Sequence, residues 1–171
     1  MRLFAKGDPM DVVEQALQAR PWRYTRIDAQ TVISGVTTPS GRHYLIAVRH
    51  EVERRTLLFL TNPVKGPADG IPALVAGRAP LFFVHPSAGH SADQVARVCE
   101  ALMDENYRLL LGCHERDQSD GEIRYRIALP YRDTAITIEQ VNWCVDVGVG
   151  TMEVMMGKLD GILAGAAGIQ V

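Results

Sequence analysis

Three groups of side chains in this chain are of the types that carry chemistry. Cys113 and His114 set a thiol beside an imidazole, the pairing of a nucleophile with the base that activates it. Adjacent residues of a strand point to opposite faces, however, so without a bulge the two side chains do not meet, and Cys113 reads as a core or surface thiol. His85 and His90, with Cys99 and Glu100 nearby in sequence, offer donors to a metal. Zinc ligands come in tight pairs such as C-x-x-C, and none is present, so these histidines read as solvated loop residues. Glu115, Asp117, Asp120 and Glu122 crowd one hairpin tip, where carboxylates at alternate positions could converge on calcium. Their spacing does not fit the helix-loop-helix calcium pattern, and a solvated turn is the expectation.

Two further patterns bear on binding. Trp22, Tyr24 and Arg26 alternate aromatic with basic residues, as a surface for stacking single-stranded bases would, but a short strand or packing segment is the better reading. Arg49, Arg54 and Arg55 are interrupted by Glu51 and Glu53, the pattern of a solvated turn between strands. The net charge of −2 on 171 residues, with both signs interspersed, gives no strong pull toward nucleic acid or an anionic membrane. Cys99, Cys113 and Cys144 are odd in number and far apart, so neither a disulfide framework nor a zinc knuckle is expected. The first residues lack the apolar run of a signal peptide, and no apolar stretch approaches the ~20 residues that span a bilayer. These observations together predict a cytoplasmic protein without cofactor or metal, and not an enzyme.

The elements that position these residues are legible from periodicity and caps. Asp8-Pro9 starts a helix whose Val12, Val13, Ala16 and Leu17 share one face, ended by Pro21. Residues 31–36, 43–48 and 56–61 read as a three-stranded antiparallel meander, turned at Thr38-Pro39-Ser40-Gly41. The unbroken run Leu57-Leu58-Phe59-Leu60 predicts burial on both faces of the third strand. From 62 to 90 the chain is rich in proline and glycine, a connection within which 71–76 reads as a helical turn and 81–84 as a short edge strand.

Ser91-Ala-Asp-Gln94 is a capping box opening a helix to Asn106, with Val95, Val98, Cys99, Leu102 and Met103 at helical spacing and Asn106 as a left-handed stop. Two strands follow, 108–114 and 123–129, folded about Asp120-Gly121. Thr137-Ile-Glu-Gln140 is a second capping box, before a long apolar helix. There Gly157, Gly161 and Gly165 recur every fourth residue on one face. Each costs about 0.5–1 kcal/mol of helix stability, so a close helix contact, in large part with a second copy of the chain, is expected in return.

Over about 75 residues this second half resembles the YbjN-type family, described as bacterial sensory transduction regulators, whose fold is that of type III secretion chaperones. The likeness is carried by Glu105-Asn106, Leu109-Leu-Leu-Gly112, Asp120-Gly-Glu-Ile-Arg-Tyr-Arg126, Ala128-Leu-Pro130 and the methionines 152, 155 and 156 of the last helix. The proline- and glycine-rich stretch is longer than the family pattern. The resemblance implies an α+β, type III secretion chaperone-like fold over a single domain, 1–171. Its order is helix, three strands, helix, two or three strands, helix, with helices packed on an antiparallel sheet. It further implies a protein-binding or chaperone-like regulator, non-enzymatic and homodimeric.

For association the residues singled out are Met152, Met155, Gly157, Leu159 and Gly161, with Leu81 and Phe83 as an edge for a partner strand. The partners expected are a second copy and an unidentified protein, with neither nucleic acid nor membrane. The alternative is a small-ligand sensor with its pocket between the sheet and the C-terminal helix.

Overall fold

The first helix begins where its capping residues place it. Asp8 accepts a hydrogen bond from the Met10 amide at 3.0 Å, and Pro9 takes the first helical position, where an N–H has no partner to lose. This helix, α1 (Pro9–Gln18), buries Met10, Val13, Ala16 and Leu17. The computed structural model describes residues 7–64, 90–132 and 134–164. After α1 come β1 (Tyr24–Arg26), β2 (Thr31–Thr37), β3 (His43–Glu51), β4 (Thr56–Val64), α2 (Ala92–Arg108), β5 (Cys113–Arg116), β6 (Ile123–Pro130) and α3 (Ile138–Ala164).

The strands form one antiparallel sheet in the order β1-β2-β3-β4-β6-β5. Its register lines up one apolar row across four strands: Val32 opposes Val48, Val48 opposes Phe59, and Phe59 opposes Ile127. Strand side chains alternate, so this row and its neighbours two residues away share the face on which the helices lie. α3 crosses β4 and β6, α1 packs on α3 and β2, and α2 packs on α3 and β5. Tyr44, Ile46, Phe59, Tyr125 and Ile127 from the sheet meet Val141, Val145, Met152, Met155 and Leu159 from α3 in one buried core. The α+β class with an antiparallel sheet carrying helices is therefore as expected.

Residues 24–26 form the short strand read from their alternation, and it extends the meander to four strands by pairing with 32–34 of β2. Four local expectations are corrected. α2 runs on to Arg108, and Asn106 does not stop it. The Asn106 amide instead holds the backbone of His114, accepting from its N–H at 2.7 Å and donating to its carbonyl at 3.0 Å. The first hairpin strand is correspondingly short, because the chain spends 109–112 turning. Gly112 has φ +75°, and a Cβ there would lie 2.6 Å from the Arg126 carbonyl oxygen.

The hairpin loop spans 117–122 rather than a two-residue turn. It is closed by Asp117 N–H to the Glu122 carbonyl at 2.8 Å, with positive φ at Gly121 and not at Asp120. In β4, Leu57 and Phe59 are buried but Leu58 and Leu60 only half-buried, because the described helices cover one face of the sheet. The predicted turn at 71–76 and edge strand at 81–84, with Leu81 and Phe83, lie outside the described residues.

Candidate interaction surface

Of the groups that could do chemistry, the thiol–imidazole pair is split and the hairpin carboxylates are committed to structural partners. Cys113 and His114 point to opposite faces, as adjacent strand residues must. The Cys113 sulfur lies 3.9 Å from an Arg126 nitrogen and 4.0 Å from Glu115. His114 turns inward against the Tyr125 ring, centroids 5.0 Å apart, with neither ring nitrogen hydrogen-bonded among the described residues. Burial pushes its pKa down to about 4, and Lys158 adds to that while Glu105 opposes it. A neutral imidazole turned away from the thiol forms no nucleophile–base pair.

At the hairpin tip each carboxylate is occupied. Asp117 accepts from Ser119, Asp120 from the Glu122 amide, Glu122 from Asn62, and Glu115 from both Arg124 and Arg126. Among the described residues no three His, Cys, Asp or Glu side chains gather to hold a metal. His90 is half-buried at the approach to α2, and His85 lies outside the described residues. The aromatic–basic alternation serves packing: Arg20 stacks 4.6 Å over Trp22 and grips Asp146, while Arg26 binds Asp8 and Glu14 of the first helix.

The densest polar cluster was missed from the sequence. Glu153 on α3 accepts hydrogen bonds from Tyr44 Oη at 2.7 Å, Thr38 Oγ1 at 3.0 Å and Arg42 at 2.5 Å, and Arg42 also reaches Asp160 at 2.6 Å. Burial works against the carboxylate, but hydrogen bonds from Ser40, Tyr44, Arg42 and Thr38 outweigh it and hold its pKa at about 2. A signal was available, since Asp146, Glu153 and Asp160 recur every seven residues and so line one flank of the helix. The cluster fastens α3 to the turn between β2 and β3.

The residues singled out on the last helix divide between its two sides. Met152, Met155 and Leu159 are fully buried in the core and present nothing to a partner. Gly157 and Gly161 face outward, and a Cβ at either would meet no atom within 4 Å. The close contact they were expected to make is therefore absent within the described chain. They share this outward face with Trp143, 56% exposed, Val154, 55% exposed, half-buried Val147 and exposed Gly150.

An open groove of about 430 Å³ runs along each flank of α3. One lies against Trp22 and 38–40 near Gly150. The other lies between α2 and α3, lined by Ala101, Glu105, Arg108, Lys158, Gly161 and Ile162. On α2, Val98 and Leu102 are buried, but Met103 is 71% exposed, a correction to its place in the packed stripe. Tyr107 and Leu110 are almost wholly exposed.

The space expected to hold a sensor's ligand, between sheet and α3, is filled by Met152, Met155, Leu159, Phe59 and Tyr125. A further cleft of about 250 Å³ is lined by Asp8, Val12, Arg55, Tyr131, Thr134 and Ile136. Among the described residues no helix is long and apolar enough to cross a membrane. Comparisons with family models, curated proteins and solved structures returned no match.

Proposed function

We propose that this chain is a non-enzymatic protein-binding module, a chaperone-like regulator of the YbjN type acting as a homodimer in the cytoplasm. One observation carries the reading: large apolar side chains stay exposed on α2 and α3, while the ionisable side chains that might do chemistry are matched to structural partners or turned inward. Met103 and Tyr107 on α2, Leu110 just beyond its end, and Trp143 and Val154 on α3 give water apolar area that a protein partner would cover. Trp and Tyr are also the residue types that dominate binding energy at interfaces. The order of the helices and the hairpin is the support for the secretion chaperone-like arrangement.

The test is a native mass spectrum of the protein purified gently from its own source. A dimer mass carrying a bound polypeptide supports the reading. A monomer, or a monomer carrying a small molecule, overturns it and puts the sensor alternative first.

A further inference from the structure

The outward face of α3 repeats at intervals of four, three, four, three and four residues: Trp143, Val147, Gly150, Val154, Gly157, Gly161. That interval is the seam of two helices packed at a shallow angle, with 3.5 residues between contacts on average. The row begins with Trp143 and Val147 and ends with Gly157 and Gly161, with Gly150 and Val154 between them. We infer that α3 pairs antiparallel with α3 of a second copy across a two-fold axis near Met152, so that Trp143 sits on Gly161 of the partner subunit. This rests on the homodimer reading and specifies its interface.

The register follows from the sequence. A two-fold axis at 152 sets Trp143 opposite the partner's Gly161, Val147 opposite the partner's Gly157, and Gly150 opposite the partner's Val154. Every layer then joins one large side chain to one glycine, in both directions. An open position receives each knob, since a Cβ at Gly150, Gly157 or Gly161 meets no atom of the described residues within 4 Å. A parallel pairing would instead set Trp143 on Trp143 and glycine on glycine, a bulge at one end and a gap at the other.

The groove between α2 and α3 supplies the seat for the indole. It opens beside Gly161, where Ala101 and Ile162 give the ring apolar walls and Arg108 a cation, Lys158 being paired with Glu105. On the opposite flank, Asp146 is already gripped by Arg20, and Glu153 and Asp160 by Arg42, so the acidic flanks that come together are largely neutralised in advance. A seam about 30 Å long and 10 Å wide buries roughly 600 Å² over both copies, the exposed half of each Trp143 included, which is the size of a weak, concentration-dependent dimer.

The experiment is a knob exchange read by sedimentation velocity over a wide concentration range. Gly161→Trp fills the seat and Trp143→Ala removes the knob. Neither variant should dimerise alone, whereas a mixture should form the heterodimer, in which each Trp again faces a small residue. Circular dichroism checks that Gly161→Trp keeps its helices, and recovery in the mixture shows independently that it is folded. Persistence of the dimer in Gly161→Trp or Trp143→Ala alone would overturn this interface while leaving the homodimer standing. A wild-type monomer at every concentration would overturn both.

Discussion

Gly148 of α3 lies so close to Thr61 of β4 that a Cβ on the glycine would come within 2.7 Å of the threonine Oγ1. Two residues on, Gly150 faces open space. Glycines of one helix thus serve two ends: one lets the helix lie down on the sheet, and the outward ones leave room for something outside the chain.

Alanine at these two positions should therefore act in opposite directions. Gly148→Ala drives a methyl group into Thr61 and should cost about 1–3 kcal/mol by overpacking. Gly150→Ala removes backbone freedom from the unfolded chain at no steric cost and should stabilise by about 0.5–1 kcal/mol. Urea denaturation of the two variants, compared below the concentration at which dimers form, measures both.

Met155 separates stability from association. Its side chain is fully buried beneath α3, so Met155→Ala should cost about 2–5 kcal/mol of folding stability through the cavity it leaves. Sedimentation at a temperature where the variant remains folded should show dimerisation unchanged. Weakened association in the folded variant would return this methionine to the interface, where the sequence had placed it.

Glu153→Gln removes the charge that Arg42, Tyr44 and Thr38 converge on, and should cost about 2–3 kcal/mol at neutral pH. The folded-state pKa is held at about 2, below the ordinary 4.5, so the carboxylate contributes stability in full above pH 4.5. That contribution is lost as the pH falls toward 2. The gap between wild type and variant in denaturant midpoint should close across that window, and a constant gap would mean that the charge is not what Arg42 and Tyr44 hold.

His114 acts with the same sign through a base. Unfolded, the imidazole takes up a proton near its ordinary pKa of 6.5, whereas burial delays uptake in the folded chain to about 4. The contribution of the neutral ring is complete above pH 6.5 and is lost as the pH falls from 6.5 to 4. His114→Phe should flatten thermal stability over that range. At pH 7 it should cost little or nothing, because it also removes two buried nitrogens that have no hydrogen-bond partner among the described residues. An unchanged slope in the variant would assign the acid sensitivity to other groups.

What the sequence showed plainly were features set by local chemistry. The Asp8-Pro9 start, the two capping boxes and the alternation of Ile123, Tyr125 and Ile127 depend on neighbours within a turn or a strand, and each appears as read. What it hid was set by partners far along the chain. Asn106 has the type of a helix stop, but its amide is drawn to the His114 backbone across the bend. Met103 has the spacing of a packed residue, but α2 rests on the body through the side that carries Val98 and Leu102.

The methionines of α3 suit an adaptable binding surface by type, and only the crossing of α3 over β4 and β6 shows which side of the helix they occupy. The Glu153 cluster joins residues more than a hundred positions apart and leaves in sequence only the seven-residue recurrence of acids.

The most direct test of the central claim, that the outward face of α3 is where two copies meet, is the fluorescence of Trp143 as the protein is diluted. The chain has two tryptophans, and Trp22→Phe leaves Trp143 as the sole indole while keeping a ring for Arg20 to stack on. Trp143 should emit toward the blue at high concentration, as an indole shielded from water does, and move to the red in step with dissociation measured by sedimentation. Red emission unchanged while the protein is shown to be dimeric would contradict the account.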